Sequence, residues 1–162
     1  MYLNGKSYTI LNYLNVCRYY NGIYYYNISN NNTITTLSNA NNNSNYGIYY
    51  NSSNNNTITT LGNVNNNSSH GVSYAQSNNN TITTLGNVNN NSGYGVYYDQ
   101  SSNNTIKSLS TSGNSTGGVY NNTGVNYLFN AKIQEATEVD GFQNFANSRI
   151  FSQNHDQIAD NH

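Results

Sequence analysis

Hydrophobic positions recur along this chain at a fixed interval. The pair Thr-Ile stands at Thr9-Ile10, Thr33-Ile34, Thr57-Ile58, Thr81-Ile82 and Thr105-Ile106, each 24 residues after the last. Four positions after each Thr come Tyr13, Leu37, Leu61, Leu85 and Leu109, and seven positions after come Val16, Ala40, Val64, Val88 and Ser112. A second block, Gly-Ile/Val-x-Tyr, begins at Gly22, Gly47, Gly71 and Gly95, with one residue gained and one lost around Gly22 so that the Thr column keeps phase. Self-similarity at such a period marks a stack of identical units. Inside the blocks, Tyr46, Ile48 and Tyr50 alternate with Gly47 and Tyr49, which is the two-residue period of a strand. Likewise Ile58 is expected to point inward between outward Thr57 and Thr59. The residue types agree: Asn, Gly, Ser and Thr are poor helix formers, while Ile, Val, Tyr and Thr suit a pleated surface.

Each copy therefore predicts a strand at Gly-Ile-Tyr-Tyr, a strand at Thr-Ile-Thr and a short third strand near Leu-Gly-Asn-Val, joined by Asn/Ser/Gly turns. Three such strands make one coil of an all-β, right-handed parallel β-helix (β-solenoid). About five coils at ~4.8 Å spacing span roughly 24 Å. A single coil buries too few side chains to offset the entropy of ordering its backbone, so the repeats are stable only as a stack. Two Asn columns, Asn32/Asn56/Asn80/Asn104 and Asn15/Asn39/Asn63/Asn87, are placed to link coils, because an amide both donates and accepts.

The strings Tyr46-Gly-Ile-Tyr-Tyr-Asn-Ser-Ser-Asn-Asn-Asn-Thr-Ile58 and Tyr94-Gly-Val-Tyr-Tyr-Asp-Gln-Ser-Ser-Asn-Asn-Thr-Ile106 look like right-handed parallel β-helix repeats of bacterial and archaeal surface and periplasmic proteins. The alternation of Thr-Ile-Thr-Thr-Leu with Gly-Ile-Tyr is also similar to the passenger repeats of autotransporters. The resemblance covers roughly residues 9–128 and implies architecture; such repeats serve lyases, scaffolds and adhesins alike.

Repeat phase begins by Thr9, leaving eight residues for an N-terminal cap, and an uncapped solenoid end invites end-to-end self-association. Residues 1–129 are read as solenoid and 130–162 as a C-terminal cap and tail. Ile133, Ala136 and Val139 have helical spacing, which predicts a short amphipathic helix in that cap. Met1–Lys6 lacks the charged and apolar regions of a secretory signal, so export by another route or membership of a longer protein is expected. A secreted or cell-surface location follows from the resemblance.

Composition narrows the chemistry. Only 7% of residues are charged, the net charge is −1, and no Asp, Glu, Lys or Arg occurs from Tyr19 to Tyr98. No basic stretch exists to capture nucleic acid, and no apolar run is long enough to insert in a membrane. Polysaccharide-cleaving enzymes need acids clustered from adjacent coils. Asp99 and Lys107 are the charges within the repeats, so no catalytic residues are assigned and the chain reads as a non-enzyme, a degenerate lyase or hydrolase being the last alternative. His70 replaces a Tyr in the column of Tyr46 and Tyr94, and Cys17 lacks a partner, so neither a metal site nor a cofactor is expected. The favoured function is a structural, surface-displayed module, a passenger-like adhesin or scaffold. Two columns carry alternatives. Tyr24, Tyr49 and Tyr97, interrupted by Ser73, present aromatic rings beside amides, as a carbohydrate-binding module with glycan or cell-surface partners would. Thr33/Thr35, Thr57/Thr59 and Thr81/Thr83 form a regular Thr-x-Thr array similar to that of ice-binding solenoids.

Overall fold

A computed structural model describes residues 1–134 and 149–150. The chain winds into an all-β solenoid of six coils whose strands pair in parallel with their counterparts one coil away. One sheet stacks Tyr2–Asn4, Ile23–Tyr26, Ile48–Asn51, Val72–Ala75, Tyr94–Asp99 and Gly117–Asn121. A second stacks Ile10–Leu11, Thr33–Asn39, Thr57–Asn63, Thr81–Leu85, Thr105–Ile106 and Tyr127–Leu128, with Leu14–Asn15 also pairing onto Thr33–Asn39. The third contains Asn87–Asn89, Leu109–Ser112, Ala131–Ile133 and Arg149–Ile150. In the second and third coils the segment through Leu37 and Leu61 simply prolongs the Thr-Ile-Thr strand, whereas it is a separate strand at Leu14–Asn15 in the first coil and again from Asn87 onward.

The inward set of one coil is Ile58, Leu61, Val64, Asn67, Val72, Tyr74, Ser77 and Asn80, all at 1% exposure or less. Neighbours in this set lie two apart from Val72 to Tyr74, five apart from Asn67 to Val72, and three apart elsewhere. Like residues stack, and the inner tyrosines make the clearest column. Tyr25, Tyr50, Tyr74 and Tyr98 lie 4.6, 4.7 and 4.9 Å apart with rings within 5° of parallel. Burial raises the pKa of each of their hydroxyls far above the ordinary range.

The Asn-Asn-Asn runs explain much of the composition, because each position has its own task. In Asn54-Asn55-Asn56 the first amide oxygen accepts the backbone N–H of Asn78 in the next coil at 2.7 Å. The second residue takes the left-handed conformation at φ 57, which Asn tolerates better than most residues. The third is buried, and its Nδ2 donates to Asn80 Oδ1 at 3.1 Å. This inner ladder runs through Asn32, Asn56, Asn80 and Asn104, as the sequence predicts, and extends to Asn126. A second inner ladder, Asn43, Asn67, Asn91 and Asn114, was not anticipated, although its triplets carry the same signal. The expected Asn39/Asn63/Asn87 column does link coils, at 3.2 and 3.3 Å, but on the outer side.

Three sequence expectations need correction. The first coil is out of phase: Ile10 pairs with Thr33, Leu11 with Ile34 and Leu14 with Leu37, and a register shift before Asn15 restores the 24-residue spacing. Thr9-Ile10 therefore does not occupy the Thr-Ile column, and Tyr13, expected beside Leu37, is 85% exposed. Secondly, the coil count rises from five to six, since Tyr2–Asn4, before Thr9, already pairs with Tyr24–Tyr26. Thirdly, Tyr46 does not alternate inward. Gly47 and Ile48 are both buried as the chain rounds a corner, and Tyr46 lies outside, its ring 4.4 Å from that of Tyr49. A Cβ on Gly47 would stand 2.6 Å from Gly71 O and collide with Val64 Cγ1, so only glycine fits that corner. Ala131–Ile133 is a strand on Leu109–Thr111. The remainder of the expected cap helix, including Ala136 and Val139, lies outside the described residues.

Candidate functional site

The outer aromatic column is broader and more continuous than Tyr24, Tyr49 and Tyr97 alone suggest. Tyr24 stacks on Tyr49 with centroids 5.0 Å apart and planes at 13°, and Tyr97 stacks on Tyr120 at 5.3 Å and 7°. Ser73 leaves a gap between these pairs, and it is His70 that occupies the column there. Its ring stacks on Tyr97 at 4.6 Å and 7°, and lies 5.7 Å from both Tyr46 and Tyr94. Sequence reading placed His70 in the Tyr46/Tyr94 column correctly but missed this second role. The signal available to find it was Gly93. A Cβ there would collide with the His70 imidazole, so the glycine makes room for the ring.

Burial governs the electrostatics of the stripe. It lowers the His70 pKa to about 4 by penalising the cation. The neutral ring is further held by the backbone N–H of Tyr94, which donates to His70 Nδ1 at 2.9 Å and leaves the proton on Nε2. The Tyr49 hydroxyl is pushed up to about 12, first by burial and then by the neighbouring Tyr46 and Tyr24 hydroxyls, while Asn51 Nδ2 donates to its oxygen at 3.2 Å. Tyr24 and Tyr97 are shifted upward as well, chiefly by burial. Because near-parallel rings cover one another's faces, the stripe turns ring edges and hydroxyls toward solvent. Sugar stacking requires an aromatic face.

Thr33, Thr57, Thr81 and Thr105 pair in register, as do Thr36, Thr60 and Thr84. Thr57 is half-buried, Thr59 and Thr60 are exposed, and Thr83 is half-buried. Two consecutive outward residues between inward Ile58 and Leu61 mean that the strand turns a corner at Thr59-Thr60. The Thr-x-Thr ranks are thus bounded by a bend and are narrower than the flat array expected. In the first coil Leu11 pairs with inward Ile34.

Asp99 stands in the column of Asn51 and Ala75, and its Oδ1 accepts from Asn122 Nδ2 at 2.7 Å. Among the described residues no acid stacks on it. Cys17 is half-buried, and its thiol donates to Asn15 Oδ1 at 3.4 Å. Among the described residues no three of His, Cys, Asp and Glu come together as metal ligands. His155 and His162 lie outside the described residues.

One comparison with known proteins is positive. A model of the family described as "Periplasmic copper-binding protein (NosD)" matches residues 1–162. Neither the curated proteins nor the solved structures contain a match to the chain.

Proposed function

The chain belongs to the NosD family of periplasmic proteins, and from that footing we propose that it is a non-catalytic structural module of the cell envelope. The observation that carries this reading is that the repeats consume their own functional groups. Amides bond to amides in the coil above, rings stack on rings, and among the described residues no three of His, Cys, Asp and Glu come together. The periplasmic character of the family agrees with an exported, envelope-associated protein, and display at the outer surface as an adhesin-like face is the finer version of the same proposal.

The family description names copper. Copper sites use imidazole, thiolate or thioether donors brought together in threes and fours. In the described residues the candidate donors are isolated: His70 has its Nδ1 engaged by Tyr94 and its ring packed among tyrosines, and Cys17 contacts an amide. The described residues therefore do not fit a copper centre, and no chemistry is routed through one.

Turnover assays on pectin-like and other neutral polysaccharides test the reading. No cleavage is expected, and cleavage abolished by Asp99→Asn would replace the structural module with an enzyme. A glycan array is expected to stay blank, and a hit lost in Tyr49→Ala would convert the scaffold into a carbohydrate-binding module.

A further inference from the structure

Two stacked tyrosine columns run along the solenoid, and they differ in whether the hydroxyl proton has anywhere to go. In the inner column the hydroxyls of Tyr25, Tyr50 and Tyr74 are buried without a hydrogen-bond partner. In the outer stripe Tyr24, Tyr46 and Tyr49 are half-buried. The Tyr49 ring lies 5.0 Å from that of Tyr24 and 4.4 Å from that of Tyr46. Asn51 Nδ2 donates to the Tyr49 hydroxyl oxygen at 3.2 Å, so the phenolic proton is left free for a donation of its own toward solvent.

Loss of an electron turns a phenol into a strong acid, so a tyrosine is readily oxidised only where its proton can leave as well. The resulting phenoxyl radical carries spin on its two Cε atoms, beside the carbon that bears the oxygen. Two such radicals in contact join Cε to Cε. Each joined carbon then releases its hydrogen as a proton and each oxygen takes a proton back, which restores both phenols. In sum two ring C–H bonds give way to one C–C bond, and two protons and two electrons leave. Hydrogen peroxide as the final oxidant takes up both and becomes two molecules of water. Coupling therefore needs a releasable proton and a second ring in contact. The inner column meets the second condition alone. Tyr8 and Tyr13, 81% and 85% exposed, meet the first alone, having no ring neighbour among the described residues. Tyr49 meets both.

We propose that Tyr49 is a site of oxidative tyrosine coupling, with Tyr24 or Tyr46 as its partner ring and a peroxide-driven one-electron oxidant as co-reactant. A bond to Tyr46 pins the corner at Gly47. A bond to Tyr24 joins Ile23–Tyr26 to Ile48–Asn51 and ties the second coil covalently to the third. Cys17 is the single cysteine, so no disulfide within the chain can serve that purpose. A cross-link between coils stabilises chiefly by restricting the unfolded chain. This goes beyond the structural-module reading, since coupling and turnover are measured separately.

Treating the dilute full chain with a haem peroxidase and hydrogen peroxide tests the site. The expected product is a monomer lighter by two hydrogens for each bond, with dityrosine fluorescence and a bond that mass spectrometry of the digest maps to Tyr49. Tyr49→Phe keeps a ring that can stack and should lose that bond, whereas Tyr50→Phe, in the inner column, should retain it. Circular dichroism checks that both variants keep the β signal of the unaltered chain. Absence of dityrosine, bonds that all avoid Tyr49, or cross-linked dimers in place of the monomeric product would overturn the proposal. None of these outcomes touches the non-catalytic reading, which falls only on turnover.

Discussion

The turns of the middle coils and those of the first coil follow one backbone path with different residues. In the middle coils Asn31, Asn55, Asn79 and Asn103 hold φ between 56 and 58, and Asn42, Asn66 and Asn90 between 55 and 57. At the matching places the first coil has Tyr8 at φ 58 and Arg18 at φ 65. One step further along, the buried ladder residues Asn32 and Asn43 face Thr9 and Tyr19, which supply only backbone N–H groups, at 2.9 and 3.0 Å. The difference shows what an amide ladder requires. An interior Asn is satisfied from both sides, as Asn67 is, whose Nδ2 donates to Ala40 O one way and to Asn91 Oδ1 the other. Asn126, the last described member of its ladder, keeps the bond one coil back, Nδ2 to Ser101 O at 2.8 Å, and donates its other proton to Asn121 Oδ1 at 3.0 Å.

Replacing a ladder residue in each region breaks the comparison most sharply. Asn67 Oδ1 accepts from the backbone N–H and the Nδ2 of Asn43, and its own Nδ2 donates to Ala40 O and Asn91 Oδ1. Asn67→Leu orphans these buried groups together, at 1–3 kcal/mol for each left unpaired, so about 4 kcal/mol of stability should be lost. Tyr19→Leu at the equivalent place, 57% exposed, should stay within about 0.5 kcal/mol. Urea midpoints of the two variants decide the matter, and equal shifts would mean that the ladders merely accompany the fold.

A pH titration separates the regions next. The His70 pKa falls from 6.5 in the unfolded chain to about 4 in the fold. The unfolded state therefore binds the proton first, and the contribution of neutral His70 is complete above pH 6.5 and declines as pH drops toward 4. A shift of this size corresponds to about 3 kcal/mol, an upper figure for a ring that is not fully enclosed. Amide exchange should quicken at Tyr94, whose N–H bonds the imidazole, and leave Tyr2–Asn4 unchanged. His70→Tyr should remove the dependence. Uniform acid sensitivity in both regions would place its origin elsewhere.

Much of this was legible in the sequence because stacking demands identity. The Ile34/Ile58/Ile82/Ile106 column, the inward Tyr50 and the Asn32 ladder follow from recurrence alone. The first coil was misread for the converse reason: Thr9-Ile10 repeats a dipeptide, yet Asn no longer marks the turns around it, and Ile10 is left 70% exposed. Corners also defeat a two-residue period, which is why Tyr46 was placed inside. The aromatic column at the candidate site was found through Tyr24, Tyr49 and Tyr97, but the repair of its gap by His70 depends on the space left at Gly93, and spacing cannot express that.

Glycine at the corner column marks where the two regions agree. A Cβ on Gly71 would stand 2.7 Å from Gly95 O and 3.0 Å from Asn91 Nδ2, and one on Gly22 would stand 2.9 Å from Asn43 Nδ2 and collide with Gly47 O. Gly71→Ala and Gly22→Ala should therefore cost similar amounts, about 2 kcal/mol each, by forcing apart coils that approach through backbone. A neutral Gly22→Ala, measured by thermal melting, would show that the coil next to the first is loosely held against its neighbour.

The smallest effect bears most directly on the turns. At Asn79, φ 56, alanine brings a Cβ without the compensating amide and should cost about 1 kcal/mol, whereas glycine should be nearly neutral. At Tyr8, φ 58 and 81% exposed, the same path is taken by a residue with no local reason to adopt it. Tyr8→Asn should stabilise the chain by about 0.5 kcal/mol, and Tyr8→Gly by about as much, since relief of the left-handed strain is partly offset by the greater freedom of an unfolded glycine. Opposite signs at two positions of identical backbone geometry, read from paired denaturation curves, would show that the middle coils have residues fitted to their turns and that the first coil does not. If Tyr8→Asn destabilises instead, the exposed ring is held by a contact, and the left-handed turn at Tyr8 is not what weakens the first coil.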